Sequence, residues 1–347
     1  MQSQIISQDI KEIVSEFKQP LITLSGKKIF VTGGNGFLGS YLVDTFVEVN
    51  KELKEPSRIV VLNKNKISER SRLSHLIKDP NLEFMVKDVG EPFQMSFNPD
   101  IIIHAASIAS PKSFLTNPFE TIDSTVNGVR TLLEHARSHP AENFLFISSA
   151  DVYGNPPPEF TPTPETYTGN VNCIDPRACY SESKRFAETL CSSFFRTYDV
   201  PTKILRLGHT YGPGLRDDKA IHEFFLKSRR DKEINLRDNG QASMSFCYVS
   251  DAIRGIFKVM FEGESGEPYN IGNGFPRTSI KDLATSIGEV QHNNTIVNPN
   301  YFKPNDDSKE YIRDLDITKL EELGYEPRVS LKQGLEKLKK HIDEVSL

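Results

Sequence analysis

A short apolar run, KKIFVT at 27–32, leads directly into glycines at 33, 36 and 39, and a helical stretch opens at Phe37. No other feature restricts the fold as tightly. In a strand–turn–helix of this kind one glycine turns the chain sharply. A second lets the backbone approach a pyrophosphate, and a third lets the helix pack closely on the strand. The helix start then offers unpaired N–H groups and positive potential to phosphate. Gly33, Gly36 and Gly39 are therefore expected to cradle a dinucleotide.

The pattern repeats along the chain. RIVVLN (58–63), LEFMVKD (82–88), PDIIIHAA (99–106), NFLFISS (143–149) and TKILRLG (202–208) read as further strands, with helices over 37–48 and 120–138. Apolar strands alternating with helices imply an α/β fold with a parallel sheet covered on both faces. Right-handed crossovers make it a doubly wound Rossmann sheet. Ile6, Ile10, Ile13, Val14 and Phe17 recur at helical spacing, so residues 1–25 are expected to form an amphipathic extension that Pro20 stops. The division expected is this extension, a Rossmann domain over 26–209, and a smaller α/β lobe over 210–347 with segments returning to the sheet. The six prolines within 155–178 mark a long loop, a candidate cleft wall.

A net charge of −5 argues against broad nucleic-acid binding. No apolar run reaches the ~20 residues of a membrane helix, and no basic-then-apolar leader is visible. Cys173, Cys179, Cys191 and Cys247 lack metal-type spacing, so reduced thiols in a cytoplasmic protein, with no metal, are expected.

The second strand ends in Asn63, where an acid commonly accepts hydrogen bonds from the adenosine ribose. Asn also serves a ribose hydroxyl but does not repel a 2′-phosphate, and Lys64, Lys66 and Arg70 follow. NAD is expected, with NADP open. Asp88 and Val89, after the third strand, are positioned to meet the adenine. Tyr180 and Lys184 form YxxxK, one helical turn apart. An ammonium below a phenol lowers its pKa and makes it a base. Ser149, ending the fifth strand, is placed to bond the same substrate oxygen.

The motifs TGGNGFLG (32–39), HAASIASP (104–111), SSADVYG (148–154), YSESK (180–184), RLGHTYGPG (206–214), FCYVSDAIRG (246–255) and YNIGNG (269–274) resemble the extended short-chain dehydrogenase/reductase family of nucleotide-sugar epimerases, dehydratases and decarboxylases. ASIASP and DPRACYSESKRFAETLC are most similar to UDP-glucuronate decarboxylases. The resemblance implies tightly held NAD, with contacts at Phe37, Leu38, Ala105, Ala106 and Ser107. It also implies a nucleotide-diphosphate sugar substrate and a homodimer built on helices near 114–138 and 178–199. In the implied mechanism Tyr180 takes the C4-hydroxyl proton, and the 4-ketone permits decarboxylation, elimination or epimerisation. Asp151 stands where decarboxylases carry Glu. Met244 replaces an arginine that contacts the diphosphate, His209 replaces an Asn that meets the sugar nucleotide, and Thr125 replaces a common Asn. Lys219, Arg237 and Arg313 are candidates for the missing charge, Arg313 matching an arginine of the relatives. Two alternatives stand beside this reading: an NADPH-dependent keto-sugar reductase, and a non-enzymatic dinucleotide sensor.

Overall fold

The computed structural model describes residues 3–215, 219–274, 276–300 and 312–345, with the side chains of Ile312 and Arg313 outside that set. The strands, in chain order, are β1 (Lys28–Thr32), β2 (Arg58–Asn63), β3 (Leu82–Val86), β4 (Ile101–His104), β5 (Asn143–Ser149), β6 (Thr202–Leu207), β7 (His209–Tyr211), β8 (Glu233–Asn235), β9 (Ser243–Met244), β10 (Phe246–Tyr248), β11 (Pro268–Ile271), β12 (Thr278–Ser279), β13 (Ile296–Asn298) and β14 (Ile312–Arg313). Seven of them form one sheet in the order β11-β6-β5-β4-β1-β2-β3. Every pairing in it is parallel. Its central strands are buried on both faces, Ile101, Ile102 and Ile103 at 2% exposure or less, which is why they read as continuous apolar runs.

The helices are α1 (Gln4–Glu16), α2 (Lys18–Ile22), α3 (Phe37–Asn50), α4 (Pro111–Thr116), α5 (Pro118–Ser138), α6 (Ala178–Tyr198), α7 (Ala220–Asp231), α8 (Val249–Glu262), α9 (Ile280–Val290), α10 (Thr318–Glu321) and α11 (Leu331–Val345). One apolar cluster joins α1, α3 and α8 to one face of the sheet. The other contains residues of α5 and α6 on the opposite face. Beyond β6 the chain builds three small sheets, β10-β7, β12-β9-β14 and β13-β8, and returns once to the main sheet as β11. None of the described helices is long and apolar enough to cross a membrane.

The first helix buries Ile10, Ile13 and Val14 as its periodicity requires, but Pro20 does not stop it. The helix ends at Glu16 with Phe17 as its C-cap, and Pro20 sits third in α2. In a first turn the N–H that proline lacks has no helical partner in any case. The extension is also tied down by polar contacts. Asp9 is fully buried, accepting from Lys337 Nζ at 2.7 Å and from the Tyr248 hydroxyl at 2.8 Å. Arg254 of α8 donates to Glu16 at 2.8 Å. Replacing Asp9 with Ala strands two donors, and a urea titration is expected to show a loss of about 2 kcal/mol. A change below about 0.5 kcal/mol would make the contact incidental.

Candidate active site

Three strands end along one line. Thr32 pairs with His104, and His104 with Phe146, so the turns after β1, β4 and β5 open on the same edge of the sheet. Gly33 has φ +68°, and a Cβ there would lie 2.7 Å from Ala106 Cα. A Cβ on Gly39 would come within 2.3 Å of the Gly33 carbonyl oxygen. Gly36 caps α3 with no side chain on the first N–H groups, which leaves them to a phosphate. Phe37 and Leu38 form that first turn. Asn63 Oδ1 accepts from Asn35 N at 2.9 Å, which fixes the amide, and its buried Nδ2 has no partner among the described residues. A donor is thus left over where the ribose is expected. Ala105 and Ala106 hang from Thr32 through N–H bonds of 3.3 and 3.2 Å, and Ser107 meets Thr125 at 3.3 Å. Asp88 pairs with Lys64 at 2.9 Å and accepts from Gly90 N, and Val89 is buried beside it. Lys64 is also bound by Glu120, so two carboxylates hold its pKa up. The residues present fit a dinucleotide.

On α6, Tyr180 and Lys184 are both buried. The Ser149 side chain lies near the Tyr180 phenol and acts to lower its pKa, and the Ser149 hydroxyl donates to Asp151 Oδ2 at 3.4 Å and accepts from Asp151 N at 3.1 Å. The structure therefore brings Ser149, Asp151, Tyr180 and Lys184 to one place. Their charges are not what the spacing predicts. Lys184 Nζ donates to the Ile147 carbonyl at 2.6 Å and lies 5.9 Å from the Tyr180 ring centre. Burial pushes the Tyr180 phenol up, and the Asp151 charge adds to this against the Ser149 side chain. Burial also pulls Lys184 down to about 7, opposed by Glu188 and Cys191. In this state the phenol is a poor base.

The model described as NAD dependent epimerase/dehydratase family matches residues 29–272. The chain belongs to the NAD-dependent epimerase/dehydratase family. It is an NAD-dependent enzyme of the Rossmann type. UDP-glucuronic acid decarboxylase 2 of Arabidopsis thaliana is 36% identical over 313 residues, 89% of this chain and 67% of that one. Decarboxylase 5 of the same plant is 35% identical over 90% of this chain and 88% of its own length. The crystal structure of a UDP-glucose 4-epimerase from Thermotoga maritima with UDP-glucose superposes with a TM-score of 0.78 at 26% identity, over 92% of this chain and 100% of that one.

The substrate-side candidates of this epimerase/dehydratase family member are more scattered. His209 starts β7 opposite Phe246 and lines a small pocket of about 20 Å³ with Ala150, Tyr153, Ser245 and Asp314. Met244 is buried in β9, in register with Arg313 of β14, whose side chain lies outside the described residues. Arg277, unremarked in the sequence, pairs with the buried Asp314 in this region. Lys219 Nζ donates to the Ala109 carbonyl at 2.9 Å, beyond β4. Arg237 is 90% exposed and faces Glu223 of α7 at 3.8 Å, and no described contact ties it to the Tyr180 cluster. Sequence reading also passed over Phe114. Its ring stacks on Tyr180 at 4.6 Å and 14°, and the loop-to-helix signal of SPKSF was its only trace.

The glycine cradle gives a direct test. Gly39→Ala forces the loop away from α3, and calorimetric titration with NAD is expected to show affinity falling by about a hundredfold, the equivalent of about 3 kcal/mol. Unchanged affinity would place the dinucleotide elsewhere.

Proposed function

We propose that this enzyme remodels a sugar carried on a nucleoside diphosphate, oxidising its C4 hydroxyl for part of the cycle and reducing it again. The observation that carries the reading is the gathering of Ser149, Tyr180 and Lys184 after β5, at the sheet edge from which the Gly33–Gly39 turn also opens. Bound NAD supplies a hydride acceptor. Tyr180 takes the hydroxyl proton, Ser149 holds the same oxygen, and Lys184 stabilises the phenolate. A charged Lys184 and a hydrogen-bonded substrate oxygen both favour phenolate, so the raised phenol of the free site describes a resting state. The resulting 4-ketone acidifies its neighbours and labilises a C6 carboxylate. The UDP-glucuronic acid decarboxylases at 35–36% identity support decarboxylation as the outcome, with Asp151 facing the sugar. C4 epimerisation is the other outcome of the same intermediate.

In this reading residues 26–209 hold the cofactor and 210–347 mainly hold the nucleotide sugar, with His209, Lys219 and Arg313 toward the substrate. Four free thiols support a reducing, cytoplasmic setting. The reductase alternative keeps one specific support, the amide of Asn63 that does not repel a 2′-phosphate. Stoichiometric consumption of NADPH would select it.

Incubation with UDP-glucuronate, UDP-glucose and dTDP-glucose, followed by mass spectrometry and NMR of the sugar, is expected to give a decarboxylated or C4-inverted product. Tyr180→Phe is expected to cut kcat by about a thousandfold while NAD binding stays within about twofold. No product from any nucleotide sugar would overturn the reading.

A homodimer belongs to the same proposal. Leu115, Phe119, Ile174 and Phe186 are 53–85% exposed on and beside α4, α5 and α6, an apolar patch with a reason to be covered. Phe119→Asp combined with Phe186→Asp is expected to turn a dimer into a monomer in sedimentation velocity. An unchanged sedimentation coefficient would remove this face from the assembly.

A further inference from the structure

Behind the catalytic cluster lies a buried ion pair that the proposed mechanism does not use. Arg206 of β6 grips Glu188 of α6. Its Nε donates to the two carboxylate oxygens at 3.1 and 3.2 Å, and Nη2 donates to Oε2 at 2.7 Å. Glu188 Oε1 also accepts from the Ser148 hydroxyl at 2.5 Å, and Ser148 is the residue before Ser149. Glu188 follows Lys184 by four positions, so the two share one face of α6. Lys184 is 2% exposed and Glu188 8%. On its far side Arg206 Nη1 donates to the Tyr153 hydroxyl at 2.9 Å, and that hydroxyl donates to Asn270 Oδ1 at 2.7 Å. Asn270 Nδ2 in turn donates to the carbonyls of Thr163 at 2.9 Å and Asp316 at 2.8 Å.

We propose that Glu188 is a positioning residue for proton transfer at Tyr180. Its carboxylate, fixed by Arg206, keeps Lys184 an ammonium and holds the strand end that carries Ser149. This rests on the reading of Tyr180 as the base.

The argument is electrostatic. A lysine buried between a helix and a sheet sheds its proton unless an anion faces it. The groups facing Lys184 are Tyr180, Glu188 and Cys191 from α6, His104 from β4, and the Ile147 carbonyl and Phe146 ring from β5. Burial keeps His104 neutral down to about 3 and pushes the Cys191 thiol well up, so neither carries charge near neutral pH. Among the described residues Glu188 is the carboxylate acting on the ammonium. Arg206 is committed to Glu188 through Nε and Nη2, and its Nη1 donates to Tyr153 and the Glu165 carbonyl. The fork fixes the carboxylate in place, and Glu188 still acts to raise the lysine's pKa.

A pair that merely holds the fold would leave the lysine's titration untouched, and this separates the two roles. The proteins to compare, all loaded with NAD, are wild type, Glu188→Gln, Glu188→Asp and the double variant Glu188→Gln/Arg206→Met. The double variant removes both charges, so no arginine is stranded even if Glu188→Gln alone fails to fold. Lysine labelled with an NMR-active carbon at Cε reports the titration, with the resonance assigned by its loss in Lys184→Met. Lys184 is expected to titrate about one pH unit or more lower in Glu188→Gln and in the double variant, and close to wild type in Glu188→Asp. With less ammonium the phenol is harder to ionise, so the acid limb of kcat moves to higher pH. At neutral pH kcat is expected to fall about tenfold or more while KM stays within about twofold. An unshifted Lys184 titration in the double variant, or a double variant that regains the wild-type pH profile, overturns the proposal. If wild type converts no nucleotide sugar, the functional reading falls, and the lysine titration still decides what Glu188 does.

Discussion

The register of β1, β4 and β5 is the constraint on which the active region depends. Parallel pairing aligns Thr32, His104 and Phe146; β1 and β4 end at Thr32 and His104, and β5 runs on to Ser149. The alignment is locked by a polar contact as well as by the ladder. Thr32 Oγ1 and His104 Nδ1 are 2.7 Å apart in the interior, and Thr32 Oγ1 also accepts from Ala106 N at 3.2 Å. Because burial keeps the imidazole neutral, this contact does not titrate in the working range of most enzymes. A slip of one residue in β4 would turn His104 to the other face and carry Ala106 away from Gly33. The glycine cradle and the serine at the end of β5 are therefore consequences of one registration.

The same burial that fixes geometry works against charge. Tyr180 and Lys184 are enclosed so completely that burial works toward the neutral form of each. An acid–base pair of this kind is primed only when its surroundings restore charge, and the surroundings are asymmetric. Asp151 lies near the phenol and opposes its ionisation, whereas Glu188 lies near the lysine and supports its charge. Phe114 of α4 covers one face of the phenol ring.

What the sequence made legible follows from the range of the interactions. The glycine spacing, the apolar strands and the YxxxK turn are local, and the structure forms strands at 58–63 and 143–149 as their patterns predict. The edges of elements were less legible. Pro20 falls inside α2 because the first turn of a helix tolerates it. The Asp9–Lys337–Tyr248 contact, the stacking of Phe114 on Tyr180 and the grip of Arg206 on Glu188 all join residues distant in the chain or on different elements. Glu188 did leave a trace, a carboxylate one turn after the lysine, but helices carry such i,i+4 pairs on solvated faces routinely. Only the buried setting of α6 gives this one a different meaning.

The substrate end shows why similarity along the chain and chemistry at one site need separate arguments. The relatives that share 35–36% of the sequence are decarboxylases, yet β9 presents a thioether at Met244 where the resemblance calls for a guanidinium. A methionine cannot pair with a phosphate. The sheet β12-β9-β14 sets Thr278 and Arg313 on either side of Met244, and Arg277 lies next to Thr278. Cationic positions on the neighbouring strands thus flank the neutral one. Arg277 is committed to the buried Asp314, which also accepts from Ser245 N at 2.8 Å, so its charge is compensated within the protein. Asp314, which lines the His209 pocket, thus brings to it a carboxylate whose charge Arg277 compensates. The charge arrangement at this end therefore differs from the one the sequence resemblance implies.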